Sequence, residues 1–152
     1  MRVELPVWIQ KRLRGNLREA GRLEIGGVLM GEQLEPGHFR IVDFTVDDQK
    51  GGMAHFTRGT DQHRAALDAF FARTDADYGR FNYLGEWHSH PSFPVRPSPT
   101  DTTSMLDLVN GERGIDFAVL MIARLDYWVA LKRSFTLFVR DRQPVAISEA
   151  PR

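Results

Sequence analysis

The stretch of this chain with the most chemistry in it is GEWHSHPSFPVRPSPTD, residues 85–101. It sets His88 and His90 two residues apart and follows them with Pro91, Ser98 and Asp101. Alternate side chains of a strand share a face, so both imidazoles point the same way. Two imidazoles and a carboxylate suit a catalytic zinc, which keeps its fourth position for water. Each part also has a plain structural reading. A His-x-His pair can be hydrogen-bonded without any metal, and Ser98 with Asp101 makes a complete helix-capping pair around Pro99 at the first helical position.

Asp101, in the first turn of such a helix, can reach a metal held by the preceding strand. The Ser98 hydroxyl then sits at that helix's positive end. The intervening SFPVRP carries two prolines that stiffen the turn back toward the histidines. Two carboxylates compete for the role of base. Glu24 opens the apolar run EIGGVLMG, where a carboxylate is costly unless something satisfies it. Glu86 is in phase with the histidines on their own strand, but a neighbour two residues away points parallel to the ligands. The residues alone leave the two nearly even. His38, His55 and His63 lack comparable spacing and read as surface or structural, and Trp87, out of phase, reads as core.

Other hydrolytic patterns are missing from the sequence. There is no His-Glu-x-x-His helix, no Pro-Cys-x-x-Cys, no Gly-x-Ser-x-Gly elbow and no P-loop.

The elements that must position these residues follow from periodicity. Ile9, Leu13, Leu17 and Ala20 predict a helix over about residues 6–20, entered at Pro6 and ended by Gly21. Residues 24–31 read as a buried strand, and 38–46 as a second strand with a slip or bulge where Phe39 and Ile41 give way to Phe44 and Val46. A polar turn at 47–52 and a short strand near 54–57 come next. Thr60 or Asp61 then caps a helix carrying Ala66, Leu67, Phe70 and Phe71. Residues 81–87 form the strand into the histidines, and the Ser98-capped helix ends at Gly111. Residues 115–123 and 127–133 read as paired strands across a turn at 124–126, with one more strand over 134–140. The order predicts one mixed α/β domain over 1–142, its sheet covered by about three helices, and a loose tail over 143–152.

Composition narrows the class. Apolar content of 42% and charged content of 26% are ordinary for a globular chain, which argues against wholesale disorder. Twenty basic and twenty acidic residues cancel, so no global charge favours nucleic acid or an anionic membrane. Arg58, Arg64, Arg73 and Arg80 read as scattered solvated charges. Without cysteine there is no disulfide, no cysteine nucleophile and no thiolate zinc ligand. No segment approaches the roughly 20 apolar residues that span a bilayer, and charges interrupt the first fifteen residues, so a cytoplasmic location is expected.

EIGGVLMG followed by HSHP, six residues, Ser98, two residues and Asp101 resembles the signature of the JAMM (MPN) zinc metallopeptidases. The family pattern is Glu-x-x-Gly-x-Leu-x-Gly, then His-x-His-Pro, six residues and Ser-x-x-Asp. Glu24, Gly27, Leu29, Gly31, His88, His90, Pro91, Ser98 and Asp101 match it. The resemblance implies a single domain with one mixed curved sheet, and one catalytic zinc held by His88, His90 and Asp101. It also implies Glu24 as general base, in preference to Glu86, and Ser98 as donor to the oxyanion.

Members with the intact signature cut after the Gly-Gly tail of ubiquitin or a ubiquitin-like protein. The strand before His88 and residues 47–59 are the expected walls of the tail groove. The compact length and YLGEWHSHP are similar to stand-alone bacterial members of antiviral conjugation systems of the CBASS or Bil type. There the partner is a ubiquitin-like protein or a conjugate such as a cGAS-like enzyme. A peptidase processing sulfur-carrier proteins is the alternative enzyme, and a non-catalytic MPN scaffold the alternative of another class.

Overall fold

The computed structural model describes residues 1–47 and 61–151. Most of the turn expected at 47–52, the strand expected near 54–57, His55, Arg58 and Thr60 lie outside the described residues. The elements are β1 (Arg2–Glu4), α1 (Val7–Ala20), β2 (Gly26–Glu35), β3 (His38–Phe44), α2 (Asp61–Arg73), β4 (Phe81–Ser89), α3 (Pro99–Gly111), β5 (Phe117–Asp126), β6 (Ala130–Val139) and β7 (Val145–Glu149).

The mixed α/β class with three helices holds, but the sheet is not an open curved one. Its strands run β1-β3-β2-β4-β5-β6-β7 and close on themselves, because β7 pairs parallel with β1. Closure removes sheet edges. β4 is flanked by β2 on one side and β5 on the other, so the strand before His88 offers no free backbone edge as a groove wall. The two termini make the closure. Residues 143–152, expected to be loose, contain β7, which pairs with β6 through Val145 and Ile147. Arg133 grips Glu149 with two bonds of 2.7 and 2.8 Å, and the Ala150 N–H donates to the Val3 carbonyl at 2.8 Å. Strands of three and five residues are too short to show a period, and pairing with distant partners holds them in place.

Both faces of the sheet are covered, which explains why β5 (FAVLMIARLD) is apolar without alternation. Val119, Met121 and Ala123 pack with Ile9, Leu13 and Leu17 of α1, while Ala118, Leu120 and Ile122 pack with Met105, Leu108 and Val109 of α3. Val28 and Met30 pack with Phe70 of α2 on the second face. The slip expected in β3 is present: Met30 pairs with Asp43 and Gly31 with Ile41, leaving Val42 as the extra residue.

The expected turn at 124–126 lies further on. β5 runs to Asp126, and one strand, β6, replaces the two read over 127–140. Tyr127 and Trp128 have φ of 54° and 61°, and the Val129 N–H returns to the Asp126 carbonyl at 3.1 Å. Positive φ at both central residues is the type I′ hairpin geometry, normally served by Asn and Gly. Two aromatics there carry no turn signal.

β4 and β5 are parallel and joined by α3, a crossover unit whose strand ends and helix N-terminus meet at one edge of the domain. Gly85 makes the pairing possible, because a Cβ there would stand 1.8 Å from the Val119 carbonyl oxygen. Gly85→Ala is expected to cost at least about 3 kcal/mol, read as a lowered denaturant midpoint; an unchanged midpoint would show that the strands can part cheaply.

Candidate metal centre

His88 stands near the carboxyl end of β4 and His90 one residue beyond it, where the His90 N–H donates to the Ala123 carbonyl at 2.9 Å. Leu84 is skipped between the Leu29–Gly85 and Met30–Tyr83 pairs, and past this bulge Glu86 and His88 share the sheet face covered by α2 and α3. Trp87 points the other way into the core. It is fully buried, edge-on to Phe44, and its indole N–H donates to the Thr45 carbonyl at 2.8 Å.

The N-terminus of α3 brings Asp101 to the histidines. The Ser98 hydroxyl accepts from the Asp101 N–H at 3.0 Å, and Asp101 Oδ2 accepts from the Ser98 N–H at 2.9 Å, closing a capping box around Pro99. The same carboxylate also holds both imidazoles. Its Oδ1 lies 3.0 Å from His88 Nδ1 and its Oδ2 lies 3.2 Å from His90 Nε2. The capping reading of Asp101 therefore holds, and the ligand reading is compatible with it. Burial works to raise the Asp101 pKa, but the hydrogen bond with His88 and those from Ser98 outweigh it and hold the carboxyl well below its usual range. Asp101 is a buried, ionised carboxylate bonded to two rings.

His90 is fixed from its far side, with Nδ1 3.0 Å from the Pro94 carbonyl and its ring edge-on to Phe93. The Phe93 carbonyl is in turn held by Arg124 at 2.8 Å. The Pro94 carbonyl is a participant the sequence reading missed, since a backbone acceptor leaves no trace in residue type. Ser89, between the histidines, was also missed. It is buried, its hydroxyl accepts from the Ile25 N–H at 2.8 Å, and its own N–H donates to the Ile25 carbonyl at 2.8 Å.

These bonds tie the segment carrying Glu24 to the histidine strand. Gly26 pairs with His88, so the register carried two residues back brings the Glu24 backbone level with His90. The Glu24 side chain is half-buried and has no bond to the imidazoles. At Gly26 a Cβ would come within 2.9 Å of His88 Cδ2 and 2.6 Å of the Trp87 carbonyl oxygen. Gly26→Ala is expected to push His88 off Asp101 and lower metal affinity about 10-fold or more at a stability cost of about 1–3 kcal/mol, measured by chelator competition and urea unfolding. Wild-type affinity would show that the ring can sit elsewhere.

Among the described residues, His38 and His63 are structural. His38 Nε2 pairs with Glu4 at 2.9 Å, and buried His63 has Nδ1 2.9 Å from the Thr45 hydroxyl. Two arginines read as solvated are also engaged: Arg73 bonds Asp43, and Arg80 bonds Glu32 at 2.6 and 2.9 Å.

The donors fit zinc in kind. In a tetrahedral site with bonds of 2.0–2.1 Å, ligand atoms stand about 3.3 Å from each other, close to the 3.0 and 3.2 Å separating the carboxylate oxygens from the ring nitrogens. Among the described residues no three His, Asp or Glu side chains form an assembled cage; these three bond one another instead. No described helix is long and apolar enough to cross a membrane.

A closed barrel flanked by helices, with a His-x-His strand end and an acid at the following helix N-terminus, defines a JAB-type domain. The family model for prokaryotic homologues of the JAB domain matches residues 7–137, and the chain belongs to that family. It is also 31% identical over 120 residues to the CD-NTase/cGAS isopeptidase of Vibrio cholerae, covering 72% of this chain and 67% of the relative. A solution structure from Desulfitobacterium hafniense superposes with a TM-score of 0.68 at 18% identity, over 97% of this chain and 91% of that one. One from Salinibacter ruber gives 0.55 at 20% identity, with the same coverage of each chain. These two likenesses are of fold.

Proposed function

We propose that this JAB-domain protein is a zinc-dependent isopeptidase that cleaves after the C-terminal Gly-Gly of a ubiquitin-like protein. One observation carries the reading: a single ionised carboxylate at a helix N-terminus is bonded to both imidazoles of the adjoining strand end. His88, His90 and Asp101 would hold the metal. Bound there, zinc supplies Lewis acidity, polarising the scissile carbonyl and bringing the pKa of water toward about 7.

The chain's own groups do the rest. Glu24, at the level of His90, takes a proton from the attacking water and passes it to the leaving amine. Ser98 accepts the Asp101 N–H through its oxygen, which leaves its hydroxyl hydrogen to donate to the developing oxyanion. Asp101 fixes both rings, and the Pro94 carbonyl sets the tautomer of His90. A groove of about 310 Å³, lined by Leu23, Ser89 and Pro91, the chain neighbours of Glu24, His88 and His90, together with Arg124 and Trp128, is the proposed seat for the substrate tail.

The relative's name supports a conjugate of a CD-NTase or cGAS-like enzyme as substrate, and a bacterial antiviral system in the cytoplasm is the proposed setting. Intact-mass analysis of a lysine-linked Gly-Gly conjugate and of a linear Gly-Gly fusion tests the reading, with zinc measured on the same sample. Cleavage after the second glycine supports it. Zinc without cleavage of either bond points to another modifier. Neither zinc nor cleavage after zinc is resupplied favours a scaffold.

A further inference from the structure

Residues 91–97 run from the histidine strand to the α3 cap without regular structure, and Ser92, Phe93, Pro94 and Arg96 are exposed. Exposed loops are ordinarily the least rigid part of a site. Yet this one carries the Pro94 carbonyl, which accepts from the Arg96 N–H at 2.8 Å and meets His90 Nδ1 at 3.0 Å. A carbonyl only accepts, so the contact puts a hydrogen on Nδ1 and leaves the Nε2 lone pair for a metal. The tautomer of His90 therefore depends on where an exposed loop is held.

β5 holds it. The Ala123 carbonyl takes the His90 N–H at 2.9 Å, and the next residue, Arg124, donates from Nη1 to the Phe93 carbonyl at 2.8 Å. Arg124 Nε is bonded to Asp126 Oδ1 at 2.8 Å, two residues on along the same strand face. A guanidinium is planar with its donors in a fixed fork, so the Asp126 bond aims the donor that meets Phe93. Among the described residues, Arg124 is the only side chain from outside residues 90–101 that bonds this loop.

We infer that Arg124 is a positioning residue for His90. Anchored by Asp126, it holds the Phe93 carbonyl, and with it the neighbouring Pro94 carbonyl that orients the ring. It acts through the loop and not on the imidazole. The use of that orientation, keeping Nε2 ready for zinc, rests on the proposed reading of His90 as a ligand. Arg124 also lines the groove proposed for the substrate tail, so activity alone does not isolate its effect on the ring.

The test compares wild type, Arg124→Lys and Arg124→Met by zinc affinity, in competition with a chromophoric chelator, and by urea unfolding in excess chelator. A third reading is the His90 tautomer, from imidazole nitrogen NMR of the chelated protein, with the ring assigned by its loss in His90→Gln. Spectra are taken at mildly alkaline pH, where an ordinary imidazole is neutral. Wild-type His90 is expected to carry its hydrogen on Nδ1. Arg124→Met keeps the stem and loses both bonds, so the Nδ1–H form should give way to a mixture of tautomers. Zinc affinity should fall about 10-fold, the low end for a group that supports a ligand from outside. Lysine reaches one partner at a time and should fall between. The unfolding midpoint in chelator should move little, since a half-exposed ion pair adds little stability.

Zinc affinity within twofold of wild type, or an unchanged Nδ1–H tautomer, in Arg124→Met would overturn the inference and leave the zinc site intact. Affinity and chelator-state stability falling together under an unchanged tautomer would make Arg124 merely structural. Wild-type His90 with its hydrogen on Nε2 would also overturn the inference. A wild-type chain that takes up no zinc would overturn the zinc reading instead, and the tautomer in chelator would still decide whether Arg124 positions the ring.

Discussion

Asp101→Ala is expected to abolish cleavage and weaken zinc binding by about 10²–10³-fold. Zinc held by protein side chains gains about 10–16 kcal/mol, so one ligand of a four-coordinate site is worth about 3–4 kcal/mol. The same carboxylate caps α3, and its loss there costs about 1 kcal/mol more. Asp101→Asn separates the two roles, because the amide oxygen still accepts from the Ser98 N–H while the charge is gone. The Asn variant should keep most of the stability and lose most of the zinc. Normal zinc content in either variant would remove Asp101 from the ligand set.

The stability part has a definite pH dependence. The folded-state pKa of Asp101 lies below its ordinary value of 3.8. Its contribution is therefore present above about pH 4 and is lost as pH falls through the depressed folded value. The unfolding difference between wild type and Asp101→Ala, measured in chelator, should be largest at neutral pH and shrink below about pH 4. A difference that grows on acidification would contradict an ionised Asp101 in the folded chain.

Glu24→Gln is expected to leave fold and zinc content unchanged and to lower turnover about 10²–10⁴-fold, the usual worth of a general base, or roughly 3–5 kcal/mol. The measurement is kcat on the Gly-Gly conjugate with zinc assayed on the same sample. Glu24→Gln should strike turnover and spare the metal. Near-normal turnover in Glu24→Gln would move the base to Glu86, the assignment the sequence alone left open.

Local chemistry made part of this legible beforehand. Ser98, Pro99 and Asp101 predict a helix start because capping depends on residues within one turn, and the box forms as expected. The 3.6-residue period of Ile9, Leu13 and Leu17 fixed α1 to within a residue. The slip in β3 showed as a break in alternation. What failed was non-local or lacked a residue signature. The Tyr127–Trp128 turn has the backbone of an Asn-Gly hairpin and none of its residues.

The sequence by itself determined which residues could do chemistry, since His88, His90, Ser98, Asp101 and Glu24 are identified by type and spacing. Only the tertiary structure decided what each one touches. Barrel closure depends on pairing between β1 and β7, strands at opposite ends of the chain, whose free energy no local window contains. Pairing with β2 on one side and β5 on the other denied β4 the free edge expected of a groove wall. The parallel β4–α3–β5 crossover set one carboxylate between two rings. Spacing along a strand gives the phase of two side chains. Whether a third group meets them depends on how distant elements pack, and that is a property of the folded domain.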